Sequence, residues 1–165
     1  MKTRILNNKQ IQQKINRIAY EIYENNFEEK GLIIIGVAGS GFVFAKKIVA
    51  ALESISPLKI QLIELKINKN NPLNGETSLP LSEKEVEGKV VILVDDVLNT
   101  GKVLMYGAKY LLDYPVKRLV TAVLVNRRHR SYPIRADYVG MTLSTTMQEH
   151  ILVEFKKNND AVYLT

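Results

Sequence analysis

The chain has 165 residues, 46% hydrophobic and 24% charged, which describes one ordinary globular domain able to bury a core without a covalent staple. It has no cysteine, so disulfides, thiolate metal sites and cysteine nucleophiles are excluded, and its two histidines, His129 and His150, are too few for most zinc chemistry. No stretch reaches the roughly 18 apolar residues of a membrane span, and Met1-Lys-Thr-Arg-Ile-Leu lacks the apolar segment of a secretory signal, so a cytoplasmic protein with no membrane partner is expected.

Residues 8–26 predict an amphipathic helix. Ile11, Ile15, Ile18, Ala19 and Ile22 recur at three- and four-residue spacing, and Asn7 or Asn8 is placed to cap it. Residues 32–37, Leu-Ile-Ile-Ile-Gly-Val, are apolar throughout, the pattern of a strand covered on both faces in a parallel sheet. A tight loop, Ala38-Gly39-Ser40-Gly41, leads into a helix over 42–55. Residues 59–67 alternate, as in a strand near a sheet edge. Residues 68–85 are polar and turn-rich, with Leu73, Leu79 and Leu81 too scattered to form a core stripe; so long a loop predicts a lid, a binding loop or disorder. A second buried strand spans 89–94, a helix 102–112 and a third buried strand 117–125, with shorter strands at 137–141, 150–155 and 161–164. Strands alternating with helices predict a three-layer α/β fold, a mostly parallel central sheet with helices on both faces.

The net charge of +6 is localised. Between Asp113 and Asp137 there is no acid, but there are Lys117, Arg118, Arg127, Arg128, Arg130 and Arg135, so the rest of the chain is neutral. Charge alone favours a solvated basic surface over a phosphate-rich partner.

The chemistry sits in Val90-Val-Ile-Leu-Val-Asp95-Asp96-Val-Leu-Asn-Thr100-Gly101-Lys102. A buried strand delivers two consecutive carboxylates at its C-terminal end, where open α/β sheets bind ligands. Thr100-Gly101 then opens a helix whose N-terminus, with the loop amides, suits an anion. Carboxylates beside an anion site would repel phosphate unless they served vicinal hydroxyls or a hard cation. The segment therefore asks for a phosphate at one end and a diol, with Mg²⁺, beside it, as in a ribose 5-phosphate. The alternative is a plain strand–turn–helix in which Asp96, Asn99 or Thr100 caps the helix.

Residues 90–102 resemble the phosphoribosyl-pyrophosphate (PRPP) motif of the type I phosphoribosyltransferases. The resemblance covers nearly the whole chain. The stretch from Leu124 to Gly140, with Asn126-Arg-Arg-His-Arg130 and Pro133-Ile-Arg-Ala-Asp-Tyr-Val-Gly140, is similar to the pyrimidine-operon attenuator family, as is the helix beginning Ile11-Gln-Gln-Lys-Ile. Members of that family are bifunctional, binding RNA and acting as uracil phosphoribosyltransferases. The resemblance implies a single domain over 1–165, with a small hood at 68–85 that closes over PRPP. It implies that Asp95 and Asp96 hold the ribose hydroxyls, one of them also meeting a PRPP-borne Mg²⁺. Leu98, Asn99, Thr100, Gly101 and Lys102 would cradle the 5-phosphate. Ala38, Gly39, Ser40 and Gly41 would form the pyrophosphate loop, and Tyr138 and Val139 would lie beside the base, a ring to stack and a backbone to hydrogen-bond. A half-buried strand aromatic is the other reading of Tyr138.

The reaction so implied is phosphoribosyl transfer from PRPP to a nucleobase, uracil first. It needs no protein nucleophile, and the sequence pairs none with a base. The chain departs from the family pattern in the pyrophosphate loop, where Gly39-Ser40 stands in place of Thr-Arg, and after Gly101, where Lys102-Val103 stands in place of Arg-Thr. The hood offers Asn68-Lys69-Asn70-Asn71 in place of an Arg-Asp pair. Ligand binding survives these changes better than turnover, so a nucleotide-sensing regulator is the alternative. Asn99 stands where purine-using relatives often place Asp, which leaves another nucleobase open. In the family, an RNA face includes the region of Arg127, Arg128 and Arg130. Only Tyr132 adds an aromatic there, so support of the pocket or of an interface is the favoured reading and RNA binding the alternative. A homo-oligomer, dimer or tetramer, is expected through the N-terminal helix and the 117–135 surface.

Overall fold

The computed structural model describes all 165 residues. The apolar strands set its plan. In β2 (Gly31–Val37) and β4 (Val90–Leu98), alternate side chains face opposite sides of the sheet, and both sets are buried. Leu32, Ile34, Val90 and Ile92 face α1 (Asn8–Asn26) and α2 (Ser40–Ile55). Ile33, Ile35, Val91 and Leu93 face the other layer, formed by α3 (Glu83–Val86) and α4 (Lys102–Leu111). The parallel sheet has the order β3-β2-β4-β5-β6, with β3 at Lys59–Leu65, β5 at Arg118–Arg127 and β6 at Tyr138–Leu143. The expected three-layer α/β architecture is found, including β3 at an edge.

Strand order positions the site. From β2 the chain crosses to β3 on one side, and from β4 it proceeds to β5 and β6 on the other. The switch lies between β2 and β4, so the loops leaving these neighbouring strands share one crevice.

The first helix runs over the expected residues, and Asn7 is its cap. The Asn7 side chain accepts from the Gln10 amide at 2.9 Å, and the Gln10 side chain accepts from the Asn7 amide at 2.8 Å. Asn8 instead accepts from the Asp160 amide at 3.1 Å. A second, antiparallel sheet has the order β1-β8-β7, from Thr3–Leu6, Ala161–Leu164 and Ile151–Glu154. Sequence reading leaves β1 out, because its four residues gain their ladder only from β8 at the far end of the chain.

The 68–85 segment differs from a structureless loop. Lys66 and Ser78 form an antiparallel bridge with amide–carbonyl distances of 3.1 and 3.0 Å. Asn68 folds the turn by accepting from the amides of Asn70 and Asn71. Leu79 is buried in the core on the α4 side and Leu81 packs against it, whereas Leu73 is exposed. Spacing missed these leucines because a loop returns to the core at single points, without a period. No helix is long and apolar enough to cross a membrane.

Candidate active site

Strand β4 continues through both carboxylates to Leu98, so Asp95 and Asp96 sit on ordered strand backbone. Asp95 is 4% exposed, and Asp96 is half-buried. The Asp95 Oδ1 accepts from the Asp96 amide at 2.9 Å and lies 3.4 Å from the Lys69 Nζ of the hood. Burial pushes the Asp95 carboxyl up to about 7; the Asp96 charge adds to the rise and Lys69 opposes it.

After β4 the chain turns through Asn99 and Thr100 into Gly101, whose φ of +88° suits glycine. A Cβ on Gly101 would also lie 2.7 Å from Ile134 Cγ2. Residues 95–104, Lys69 and Ile151 line one cavity of about 390 Å³. The structure thus brings Asp95, Asp96, Leu98, Asn99, Thr100, Gly101 and Lys102 to one wall, beside the start of α4. Residues 38–41, expected as a loop, meet this wall from the side, and α2 already begins at Ser40. None of these residues lines the cavity, but a Cβ on Gly41 would lie 2.5 Å from Asp95 Oδ1. Gly39 has φ +93° and caps the start of α2, and the Ala38 amide is tied to the Leu65 carbonyl at 2.9 Å.

Tyr138 and Val139, expected beside the base, lie outside this cavity. Tyr138 is 5% exposed in the core on the α1 side, and its hydroxyl accepts from Asn25 Nδ2 at 3.0 Å. Its ring is covered by packing and offers no free stacking face. The Val139 carbonyl accepts from Arg17 at 3.0 Å, and Gly140 accepts from the same guanidinium group at 2.7 Å.

The arginine cluster divides. Arg127 is 8% exposed, and its guanidinium donates to Thr145 Oγ1 at 2.6 Å and the Thr146 carbonyl at 2.9 Å. That burial removes it from any nucleic-acid face. Arg130 directs its donors inward to backbone carbonyls, among them Asn99 at 2.7 Å, and to Asn126 Oδ1. Arg128 is exposed, and Arg135 is exposed beside Asp137. His129 meets the Thr145 carbonyl at 2.7 Å, and His150 pairs with Thr165 at the start of β7. Sequence reasoning did not find Ile151 in the cavity wall or the Arg130 contacts, since both come from long-range packing. Lys69 had a signal, as the single cation of the hood.

Residues 1–157 match the family described as "Phosphoribosyl transferase domain". The chain belongs to the phosphoribosyltransferase family. Within it, the chain is similar to proteins named "Bifunctional protein PyrR". That of Geobacter sulfurreducens is 36% identical over 168 residues, covering 95% of this chain and 93% of that one. That of Enterococcus faecalis is 34% identical over 156 residues, covering 89% and 86%. In structure, this phosphoribosyltransferase resembles the hypoxanthine phosphoribosyltransferase of Trypanosoma cruzi, with a TM-score of 0.79 at 18% identity over 97% of this chain and 95% of that one. It also resembles a hypoxanthine-guanine phosphoribosyltransferase of Bacillus anthracis, with a TM-score of 0.75 at 21% identity, covering 92% and 87%. At these identities the structural likeness shows the fold alone.

Proposed function

We propose that residues 1–165 form one cytoplasmic phosphoribosyltransferase domain that transfers the 5-phosphoribosyl group of PRPP to uracil. The observation that carries the reading is the single cavity wall shared by the Asp95–Asp96 carboxylates and the Thr100–Gly101 turn at the start of α4. Membership of the phosphoribosyltransferase family supports it. The resemblance of residues 124–140 to the pyrimidine-operon attenuator family supports a pyrimidine base over a purine.

In this reading Asp95 and Asp96 accept hydrogen bonds from the ribose 2- and 3-hydroxyls. The Thr100 hydroxyl and the amides of residues 98–102 hold the 5-phosphate. A bond forms between a base nitrogen and ribose C1, the bond from C1 to oxygen breaks with its electron pair leaving on pyrophosphate, and the base's N–H proton is given up to that pyrophosphate. The protein contributes fixed positions for both reactants, and the 68–85 hood excludes water. The donor set fits a Mg²⁺ carried by the substrate. Asp95 and Asp96 are two carboxylates with no third metal-binding side chain grouped with them, and Mg²⁺ is commonly held by one or two carboxylates plus substrate phosphates. When bound, Mg²⁺ neutralises charge on the departing pyrophosphate.

Pyrophosphate release with PRPP, Mg²⁺ and a panel of bases tests the proposal. Release with uracil above all other bases is expected. A second reading, a pyrimidine-nucleotide sensor that also binds RNA and turns over little, is favoured by one feature: residues 38–41 carry no arginine to grip pyrophosphate. Nucleotide binding with no pyrophosphate release on any base is the result that selects it. In either reading we expect a homo-oligomer, with α1 in the interface.

A further inference from the structure

We propose that Arg130 is a positioning residue for the 5-phosphate, turning the carbonyls of the 98–100 turn away from the cavity so that the amides of Thr100 and Gly101 face the ligand. This inference rests on the phosphoribosyl site described above and adds to it a residue outside the cavity wall.

The Arg130 guanidinium is a hub. Its Nη1 donates to the Asn99 carbonyl at 2.7 Å and the Arg127 carbonyl at 3.0 Å, and its Nε donates to the Ile134 carbonyl at 3.1 Å. Its Nη2 donates to Asn126 Oδ1. The next two residues continue the grip. The amides of Ser131 and Tyr132 both donate to the Thr100 carbonyl, at 2.9 and 3.0 Å. Two consecutive carbonyls, of Asn99 and Thr100, are therefore drawn to the same strip of chain.

A trans peptide holds its C=O and N–H in opposite directions, and no peptide bond in this chain is cis. The carbonyl of Asn99 shares a peptide with the amide of Thr100, and the carbonyl of Thr100 shares one with the amide of Gly101. Both amides therefore point away from residues 130–132. Neither finds an acceptor within the chain, and both residues line the cavity. A rigid, planar fork with five donors suits this task; a lysine offers one mobile ammonium group. These contacts occupy Nε, Nη1 and one N–H of Nη2 on the protein's own oxygens, which leaves Arg130 little to offer an external phosphate.

The test combines titration calorimetry with uridine 5-monophosphate and amide NMR of the intact protein. In the wild type, the Thr100 and Gly101 amide resonances should move most on binding. Arg130→Met should weaken binding about tenfold or more, and at saturation the Thr100 and Gly101 shifts should be lost while those at Asp95 and Asp96 persist. A general loss of structure would not produce that split. Arg130→Lys, which keeps the charge and disturbs folding less, should show the same split with a loss of about threefold or more. Wild-type binding with unmoved Thr100 and Gly101 amides overturns the positioning role and leaves the site reading standing. So do variants that bind as the wild type does, or variants in which the Asp95 and Asp96 responses vanish together with those of the turn. A wild-type protein that binds neither this nucleotide nor PRPP with Mg²⁺ overturns the site reading, and the role of Arg130 with it.

Discussion

Gly41 and Asp95 approach so closely that a methyl group on the glycine would lie 2.5 Å from the carboxylate oxygen and 3.1 Å from the Asp95 Cα. The first turn of α2 and the end of β4 are thus fitted to one another at the switch point of the sheet. Asp95 backbone cannot yield without disturbing the parallel ladder to β5, where Asp95 pairs with Val123. Gly41→Ala should therefore destabilise the protein by about 1–3 kcal/mol, the usual cost of overpacking, and displace the carboxylate. Thermal denaturation reads the first effect. Calorimetry with PRPP and Mg²⁺ reads the second, as an affinity loss of about tenfold or more. Wild-type affinity in this variant would separate residues 38–41 from the ribose site.

The buried Asp95 carboxyl makes the ligand-free protein sensitive to pH. Its ordinary value is 3.8, and burial raises it to about 7 in the fold. Well below the ordinary value both folded and unfolded chains carry the proton, and the group costs nothing. As pH rises toward 7 the unfolded chain gives up its proton freely while the fold resists, so stability falls; above 7 the full penalty is present. Asp95→Asn, which keeps an acceptor for the Asp96 amide, should stabilise the ligand-free protein on the order of a few kcal/mol near pH 8 and by little near pH 4. Urea denaturation at both pH values checks this. The same variant should bind PRPP more weakly, because a carboxylate is the stronger acceptor for a hydroxyl.

Much of this arrangement is legible in the sequence, for physical reasons that vary by element. The strands at 31–37 and 90–98 are buried on both faces, and a run such as Leu32-Ile-Ile-Ile35 has no other stable placement. The helix at 8–26 follows from one apolar stripe and one Asn cap. Asp95, Asp96 and Thr100 stand out because consecutive acids at the end of an apolar run need a reason. Tyr138 reads two ways in the sequence, because an aromatic at the start of a strand suits a base site and a core equally; in the fold its ring is buried and its hydroxyl meets Asn25. The sequence reads Arg130 as support for the pocket or an interface but does not show which carbonyls it meets, nor that Arg127 is buried, since a sequence does not record which guanidinium groups the fold will spend on its own polar atoms.

Tyr138→Phe follows from that placement. Removing the hydroxyl leaves Asn25 Nδ2 without its partner and should cost about 0.5–1.5 kcal/mol of stability. Because the ring stays in the core, affinity for uracil measured in the presence of PRPP and Mg²⁺ should change by less than about twofold. A large loss of base affinity with stability intact would return Tyr138 to the base site.

The hood should respond unevenly to ligand. The Lys66–Ser78 bridge and the buried Leu79 anchor this segment, while residues 70–77, enclosed by the bridge, are exposed or half-buried apart from the buried Pro72. In the free protein the Ser78 amide should exchange slowly and those of Leu73, Gly75, Glu76 and Thr77, which have no acceptor in the chain, quickly. PRPP with Mg²⁺ should slow exchange in the second group and leave the anchors unchanged. Uniform exchange across 68–85, with or without ligand, would remove the closing role proposed for this segment.

The arginines of the alternative, RNA-binding reading separate into two kinds, and charge reversal distinguishes them. Arg127 is buried and bonded to Thr145 and Thr146, so Arg127→Glu places an unpaired carboxylate in that position and should cost on the order of 3 kcal/mol of stability. Arg128 is exposed, and Arg128→Glu should change stability by less than about 0.5 kcal/mol. Any RNA affinity must then run through Arg128 and its exposed neighbours, with a log–log salt slope of about −0.7 for each phosphate neutralised on a single strand. Arg128→Glu should weaken RNA binding and leave PRPP binding intact, because the residue does not line the cavity. RNA affinity that ignores both salt and Arg128→Glu would move the RNA face elsewhere on the molecule, and no affinity at about 50 mM salt would leave the phosphoribosyl site as the sole ligand site of this reading.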